Sequence, residues 1–428
     1  MAKPKILMMT DNPLIHTGMA VVMREIALRL HASGRYDVVI GAWGYNGYPH
    51  QFPMPIIPLS AADFGRGGHP QAGIMGLDGV VDMVKPDIVW ALGDAWMINY
   101  INEMRNRKTF KFVQYTPIDG NVTGGGVPKT WVPWLSGADQ LVMYSQYGVD
   151  ELKKTIPELN TELIYHGVKS DVYKPVDAET KAQMKKNIVY WRVRGNELVQ
   201  EQGLPDDVFV VGTVARNQPR KNFDKILKAF AIFSKNKPNV RLWLHSALQD
   251  AAYSLADLTK IMGIEDKVCF TPRYNLMNGL SENDMNLLFN MFDVHLLPTQ
   301  GEGFGLPILE TMSSGTPQVV TNYSAHVEWC KPASELIPVS YPDDFITGIP
   351  HPVERAIPKP SETAKCLERI FRDKKYQMSL SSKARAIAES MSWDKTIPQW
   401  ETVFNNVLNG RTNVSDTVRK DTFEIVKI

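Results

Sequence analysis

Residues 298–317 read Pro-Thr-Gln-Gly-Glu-Gly-Phe-Gly-Leu-Pro-Ile-Leu-Glu-Thr-Met-Ser-Ser-Gly-Thr-Pro, and they lie between two apolar, strand-like runs at 294–298 and 318–321. Glycines at 301, 303 and 305 let the backbone approach a ligand closely, and Pro307 suits the first turn of a helix. Unbonded N–H groups and the positive end of that helix would therefore face whatever occupies the loop, which is an anion site in outline. Glu302 stands in the loop and Glu310 lies eight residues further on, about two helical turns, so both carboxylates can line one side of the element. Two acids beside an anion site suit a ligand that needs both kinds of partner. A diphosphate asks for N–H donors, while sugar and ribose hydroxyls ask for acceptors.

A second constellation lies upstream. The apolar run 208–215 leads into Arg216-Asn-Gln-Pro-Arg-Lys221-Asn, directly before a helical pattern at 222–235. Cations just past the carboxyl end of a strand sit where open α/β sheets bind ligands, and a pair of them can neutralise a diphosphate. Arg216 and Lys221 are the candidates, with Arg220 expected to face solvent.

Alternation of strand and helix extends outward in both directions. Strand-like runs at 240–246, 268–271 and 336–339 and helical patterns at 254–263, 281–292 and 305–314 complete one half of the chain. The other half repeats the order, with runs at 5–10, 36–43, 87–93, 111–116, 140–145 and 162–166. After the first run, a polar loop at 11–17 precedes a helix that begins at Gly18; Met19, Val22, Met23, Ile26, Ala27 and Leu30 form its apolar face, leaving Arg24, Glu25 and Arg29 for solvent. Such alternation argues for parallel sheets covered on both faces. At 428 residues the chain exceeds the roughly 250–300 at which one core stops growing, so two domains are expected. The expected boundaries are an N-terminal domain at 1–170, a polar connection, helical in places, at 171–206, a second domain at 207–360, C-terminal helices at 361–409 returning toward the first domain, and a polar tail at 410–428.

The stretch Gly-Glu-Gly-Phe-Gly-Leu-Pro-Ile-Leu-Glu at 301–310 resembles the Glu-x7-Glu signature of the retaining GT-B glycosyltransferases of family 4. The resemblance runs over nearly the whole chain, to about residue 408. It implies an α/β GT-B fold of two Rossmann-like, doubly wound domains facing a central cleft, and transfer of a sugar from a nucleoside-diphosphate-sugar donor to an acceptor hydroxyl. By resemblance, Glu302 contacts the donor sugar, Glu310 the ribose, and Arg216 and Lys221 the leaving diphosphate, with Gly303, Phe304, Gly305 and Leu306 in the same donor loop. Gly18 matches the glycine that approaches the donor phosphate. The nucleotide sugar is a co-substrate, and no cofactor or metal is required. Where many members carry an acceptor-side histidine, this chain has Tyr115 within Gln114-Tyr115-Thr116-Pro117-Ile118-Asp119. Asp119 is then the catalytic candidate on the acceptor side, and Tyr115 and Asp94 are expected to line it. His166, at the end of its run, reads as structural.

Composition narrows the rest. With 47 basic and 46 acidic residues the net charge is +1, so no global field draws the chain to nucleic acid or an anionic membrane. One local patch, Lys181, Lys185, Lys186, Arg192 and Arg194 around Tyr190 and Trp191, reads as a solvated face or, alternatively, as a contact for a phosphate or an anionic acceptor, a modified nucleic-acid base included. The acceptor class is open among glycan, lipid, protein and small molecule. Three scattered cysteines, the lack of a signal-peptide core near the first residue and the lack of an apolar run of about 18 residues point to a cytoplasmic protein with at most peripheral membrane contact. The glycine-rich stretch 120–126 lacks the lysine-serine ending of a P-loop and is expected to be a mobile loop that orders with substrate. A dinucleotide oxidoreductase is disfavoured, since no Gly-x-Gly-x-x-Gly follows the first strand. A GT-B epimerase or phosphorylase is disfavoured by the Glu-x7-Glu segment. The non-enzyme alternative is a nucleotide-sugar-binding protein on the same fold.

Overall fold

In the computed structural model, which describes residues 2–59, 76–205, 207–275, 277–348 and 351–414, the chain forms two compact α/β units. The first runs over 1–167 and resumes at 393; the second is 168–392. Within the first, the elements follow as β1 (Lys5–Asp11), α1 (Gly18–Ala32), β2 (Asp37–Trp43), β3 (Ile56–Leu59), α2 (Leu77–Val84), β4 (Ile88–Leu92), α3 (Ala95–Ile98), β5 (Lys111–Thr116), α4 (Val132–Ser136), β6 (Gln140–Met143), α5 (Gln146–Thr155) and β7 (Glu162–Leu163). The seven strands are parallel throughout, in the order β3-β2-β1-β4-β5-β6-β7. Strand order therefore reverses at β1, and the crevice beyond β1 and β4 is the switch point where such sheets take ligands.

The second unit contains α6 (Ala178–Asn187), β8 (Val189–Arg194), β9 (Glu197–Gln202), β10 (Phe209–Val214), α7 (Phe223–Phe233), β11 (Val240–His245), α8 (Leu255–Ile261), β12 (Val268–Phe270), α9 (Glu282–Met291), β13 (Val294–Leu297), α10 (Leu306–Ser313), β14 (Gln318–Thr321), α11 (Val327–Cys330), β15 (Ser334–Ile337), β16 (Phe345–Thr347), β17 (Glu354–Ala356), α12 (Pro360–Arg372) and α13 (Lys374–Ser390). Its main sheet runs β15-β14-β13-β10-β11-β12-β8-β9, parallel except for the last two strands. Here the order reverses at β10, between β13 and β11. The register brings Gly212 opposite His295, and a Cβ on Gly212 would stand 2.2 Å from the Phe292 ring, so only glycine permits this close packing.

The segment 171–206, expected as a polar connection, supplies α6 and also the β8–β9 hairpin, which extends the second sheet by antiparallel pairing of β8 with β12. Four cations of its basic patch share two carboxylates within the unit: Lys181 and Lys185 pair with Asp293, and Arg192 and Arg194 with Glu201, Arg194 remaining 61% exposed.

Of the C-terminal helices, α12 and α13 stay with the second unit, while α14 (Trp393–Leu408) packs on the first sheet. Trp400 of α14 is fully buried and stands edge-on to Trp90 and Tyr115, and Asp394 receives the Arg29 side chain of α1. Arg29 also binds Glu25, which is itself buried, and Arg24 donates to the carbonyls of Pro13 and Ile15. The polar side of α1 therefore ties down its neighbours and does not simply face water. Of the expected tail, Asn413 bonds the backbone of Leu141 through its side chain, and 415–428 lie outside the described residues.

Candidate active site

Beyond β13 the chain turns through Thr299–Gly305 into α10. Gly305 caps that helix with φ of 98°, a left-handed conformation that favours glycine, and a Cβ there would press on Ile308 at 2.9 Å. Pro307 sits in the first turn, as its missing N–H allows. Across the switch point, β10 ends in the Arg216 loop, followed by a short 3-10 turn over Pro219–Lys221. Asn222 then takes φ of 56°, a left-handed conformation in which asparagine is several-fold enriched among non-glycine residues. Its amide group stitches the two loops together, donating to the Pro298 carbonyl and accepting from Gln300.

The centre of this arrangement is Glu302, 4% exposed. Lys221 Nζ lies 2.5 Å from one carboxylate oxygen and Arg220 Nη1 lies 3.2 Å from the other. The Glu302 backbone N–H donates to Ser324 Oγ at 2.8 Å. Burial alone would raise the Glu302 pKa, but the two cations outweigh it and hold the carboxyl well below its usual range. Nearby, His326 is fully buried and bonds the Thr321 carbonyl through Nε2. Burial depresses its pKa to about 4, as it does for His295, so both imidazoles are neutral at pH 7.

Arg216 makes a two-point ion pair with Asp250, at 2.7 and 3.3 Å. Glu310 is half-buried on α10. Gly303 is half-buried, whereas the side chains of Phe304 and Leu306 turn into the protein, Phe304 stacking on Trp329. What Phe304 and Leu306 can offer a ligand is therefore backbone. Arg220, expected in solvent, is instead part of the Glu302 cluster, because the 3-10 turn swings consecutive cations onto one carboxylate. The sequence assigns no site role to Arg220, Asn222, Asp250, Ser324 or His326. The arginine-lysine pair beside a loop glutamate was the one signal available, and the rest depend on tertiary register.

In the first unit Gly18 opens α1 at the end of the β1 loop, exposed, with Thr17 as the N-cap. Asp94 precedes α3 and Asp119 is half-buried beyond β5. Tyr115 departs from expectation. It is fully buried, its hydroxyl donating to the Ile164 carbonyl and bonding His166 Nδ1, with rings of Trp90, Tyr144 and Trp400 around it. Its side chain points into the face of the sheet covered by α14, so it is a core residue and presents nothing to a ligand. His166 is buried in the same cluster, its pKa lowered to about 3 by burial. At the end of the 120–126 loop Gly126 N–H donates to Glu151 at 2.6 Å, and Val127 N–H just beyond it donates to Thr155 at 2.8 Å, both on α5.

Among the described residues, no helix is long and apolar enough to cross a membrane, and no group of three or more His, Cys, Asp or Glu side chains is placed to hold a metal ion.

Solved structures place this architecture in the GT-B class. Sucrose-phosphate synthase from Thermosynechococcus elongatus superposes with a TM-score of 0.69 at 16% identity, over 95% of this chain and 100% of that one. A glycosyltransferase from Rickettsia africae gives 0.65 at 13%, over 95% and 99%. Residues 196–351, which hold the Glu302 loop and its cations, match the family described as glycosyl transferases group 1. Among curated proteins, an uncharacterized glycosyltransferase of Haemophilus influenzae is 25% identical over 181 residues, and a D-inositol 3-phosphate glycosyltransferase of Saccharomonospora viridis is 28% identical over 203. These matches cover 42% and 45% of this chain, and the chain spans 44% and 42% of those relatives.

Proposed function

We propose that the chain is a retaining glycosyltransferase that moves a sugar from a nucleoside diphosphate to an acceptor hydroxyl. The buried Glu302–Lys221 pair beside the start of α10 carries this reading, because it combines a carboxylate for sugar hydroxyls with a cation for phosphate. In the reaction, the bond from the anomeric carbon to the diphosphate oxygen breaks and a bond to the acceptor oxygen forms on the same face. The acceptor's proton passes to the leaving phosphate. Negative charge grows on the diphosphate as the bond breaks, so Lys221, Arg216 and the amides at Gly303–Leu306 stabilise the transition state electrostatically. Glu310 holds the ribose and Glu302 the sugar. In the first unit, Gly18 serves the donor phosphate, Asp94 lines the acceptor, and Asp119 orients the acceptor hydroxyl. The enzyme works in the cytoplasm on this reading.

The test is turnover. The full chain is incubated with UDP-, GDP- and ADP-sugars and a panel of hydroxylated acceptors, and free nucleoside diphosphate is measured with the anomeric configuration of any product. Release of diphosphate with retained configuration supports the proposal. Tight nucleotide-sugar binding with no release under any acceptor favours the non-catalytic binder, and inversion removes the retaining assignment.

A further inference from the structure

Tyr115, turned under α14, fixes the direction of its neighbours. Side chains alternate along a strand, so Gln114 and Thr116 face the opposite side of β5, the side that carries Phe112 and, on the neighbouring strands, Met9 and Ala91. Both are fully buried, and none of Gln114 Oε1, Gln114 Nε2 and Thr116 Oγ1 has a hydrogen-bond partner among the described residues. The second sheet shows the ordinary alternative. Gln318 of β14 is equally buried, but its Nε2 donates to Thr311 Oγ1 at 3.0 Å and to the Thr316 carbonyl at 2.7 Å, while its Oε1 bonds His295 Nδ1 at 2.7 Å. A buried amide without partners lowers stability, so its presence calls for a partner from outside the chain.

Thr116 ends β5, and the turn that follows carries Asp119. Gly93 N–H donates to the Tyr115 carbonyl at 3.2 Å, which lays the turn at Asp94 alongside. The charges here are unlike those of the donor loops. Residues 10–17, 92–98 and 116–127, at the carboxyl ends of β1, β4 and β5, include Asp11, Asp94 and Asp119 and neither lysine nor arginine. Arg24 reaches the first of these loops from α1, at the Pro13 and Ile15 carbonyls, and Lys154, paired with Glu151, lies against the third at Gly125. The strand ends themselves bring carboxylates, which repel a phosphate and accept from hydroxyls. An amide and a threonine hydroxyl each donate and accept, as sugar hydroxyls do. Resting on the reading that the chain transfers a sugar to an acceptor hydroxyl, we propose that Gln114 and Thr116 bind the acceptor, and that this acceptor is an uncharged saccharide or polyol and not a phosphorylated one. Thr116, at the end of the strand, meets it first, and a hydroxyl or a water bound to it reaches the amide beneath.

The test follows release of nucleoside diphosphate by the full chain from its best UDP-, GDP- or ADP-sugar. Glucose, mannose, galactose, N-acetylglucosamine, maltotriose and myo-inositol are the neutral probes, and the phosphate monoesters of glucose, mannose and myo-inositol are their charged counterparts. At least one neutral probe is expected to stimulate release, with kcat/KM at least about tenfold above that of a phosphate ester. Gln114→Met and Thr116→Val remove hydrogen-bonding groups at nearly constant shape. Each is expected to raise the acceptor KM about tenfold, to leave nucleotide-sugar affinity within about twofold, and to melt no lower than the unaltered chain, because an unsatisfied buried group is lost. Either variant serves should the other fail to fold. A phosphorylated probe that matches or exceeds its neutral counterpart overturns the proposal, as does donor turnover that no neutral probe stimulates. An unchanged acceptor KM in the folded variants overturns the role of Gln114 and Thr116. If the chain binds none of the nucleotide sugars, the glycosyl-transfer reading itself has failed, and the acceptor assignment goes with it.

Discussion

At the carboxyl ends of β10 and β13 the second unit gathers Arg216, Arg220 and Lys221 against Asp250 and Glu302, all five engaged in ion pairs. The first unit has a sheet of the same winding, yet at the end of β5 it places Tyr115 in an uncharged cluster with His166, Trp90 and Trp400. The two sheets share a topology that leaves a crevice at the switch point. What differs is the neighbouring cover. Over β10 and β13 the strand ends feed loops rich in glycine and charge, whereas behind β5 a helix from the far end of the chain lays indole and phenyl rings on the sheet. Chemistry is thus grafted on by loops and returning helices, and the shared fold does not dictate it.

That contrast is open to attack from both sides, and the largest effect should come from the aromatic side. Trp400→Ala removes a fully buried indole and is expected to cost about 3–5 kcal/mol of stability in urea unfolding, while the folded protein keeps its nucleotide affinity. A large change in affinity at equal folding would mean that the cluster also shapes the donor site. On the charged side, Lys221→Ala should lower turnover by about 10²- to 10³-fold, roughly 3–4 kcal/mol of transition-state stabilisation, with a far smaller change in melting temperature. Retained turnover in a folded Lys221→Ala protein would remove the lysine from the chemistry.

Acid should weaken both regions through their histidines. His166, His295 and His326 are buried and neutral, with pKa values of about 3, 4 and 4, below the 6.5 expected of the unfolded chain. As pH falls from 6.5 toward 4 the unfolded chain takes up protons that the native state refuses, so stability declines progressively through that range. The Glu302 carboxyl, held low by its cations, works in the same direction, since its contribution is present above the ordinary glutamate range and is lost as pH falls further. Urea unfolding from pH 7.5 to 4.5 measures the sum, and a flat profile would show that these histidines are not buried neutral. The smallest effect is assigned to Tyr115→Phe. Removing its hydroxyl from the Ile164 carbonyl should cost about 1 kcal/mol and leave turnover within about twofold, where a ligand-facing tyrosine would show a clear change in activity.

The residues explain why some of this was legible beforehand. Continuous apolar runs and the punctuation between them identify parallel strands, and Gly305, Pro307 and Glu302 announce a loop built around a helix start, because backbone need and local residue type coincide there. Tyr115 was misread for want of its cover: a strand's alternation says which residues share a face, and α14, which seals that face, lies at the other end of the sequence. The β8–β9 hairpin was passed over since its outer strand is an exposed, polar edge with little apolar signal. The role of Arg220 was not legible because the direction of two cations in one short turn depends on where Glu302 is brought by β13. Local chemistry can be read from local sequence, and pairing across elements cannot.

Binding of a nucleoside diphosphate at the charged strand ends of the second unit is tested by the affinity of the tightest nucleoside diphosphate or its sugar for the unaltered chain, Lys221→Ala, Glu310→Ala and Tyr115→Phe. Losses of at least about tenfold are expected for Lys221→Ala and Glu310→Ala and none for Tyr115→Phe. Equal affinity across all four proteins would contradict it.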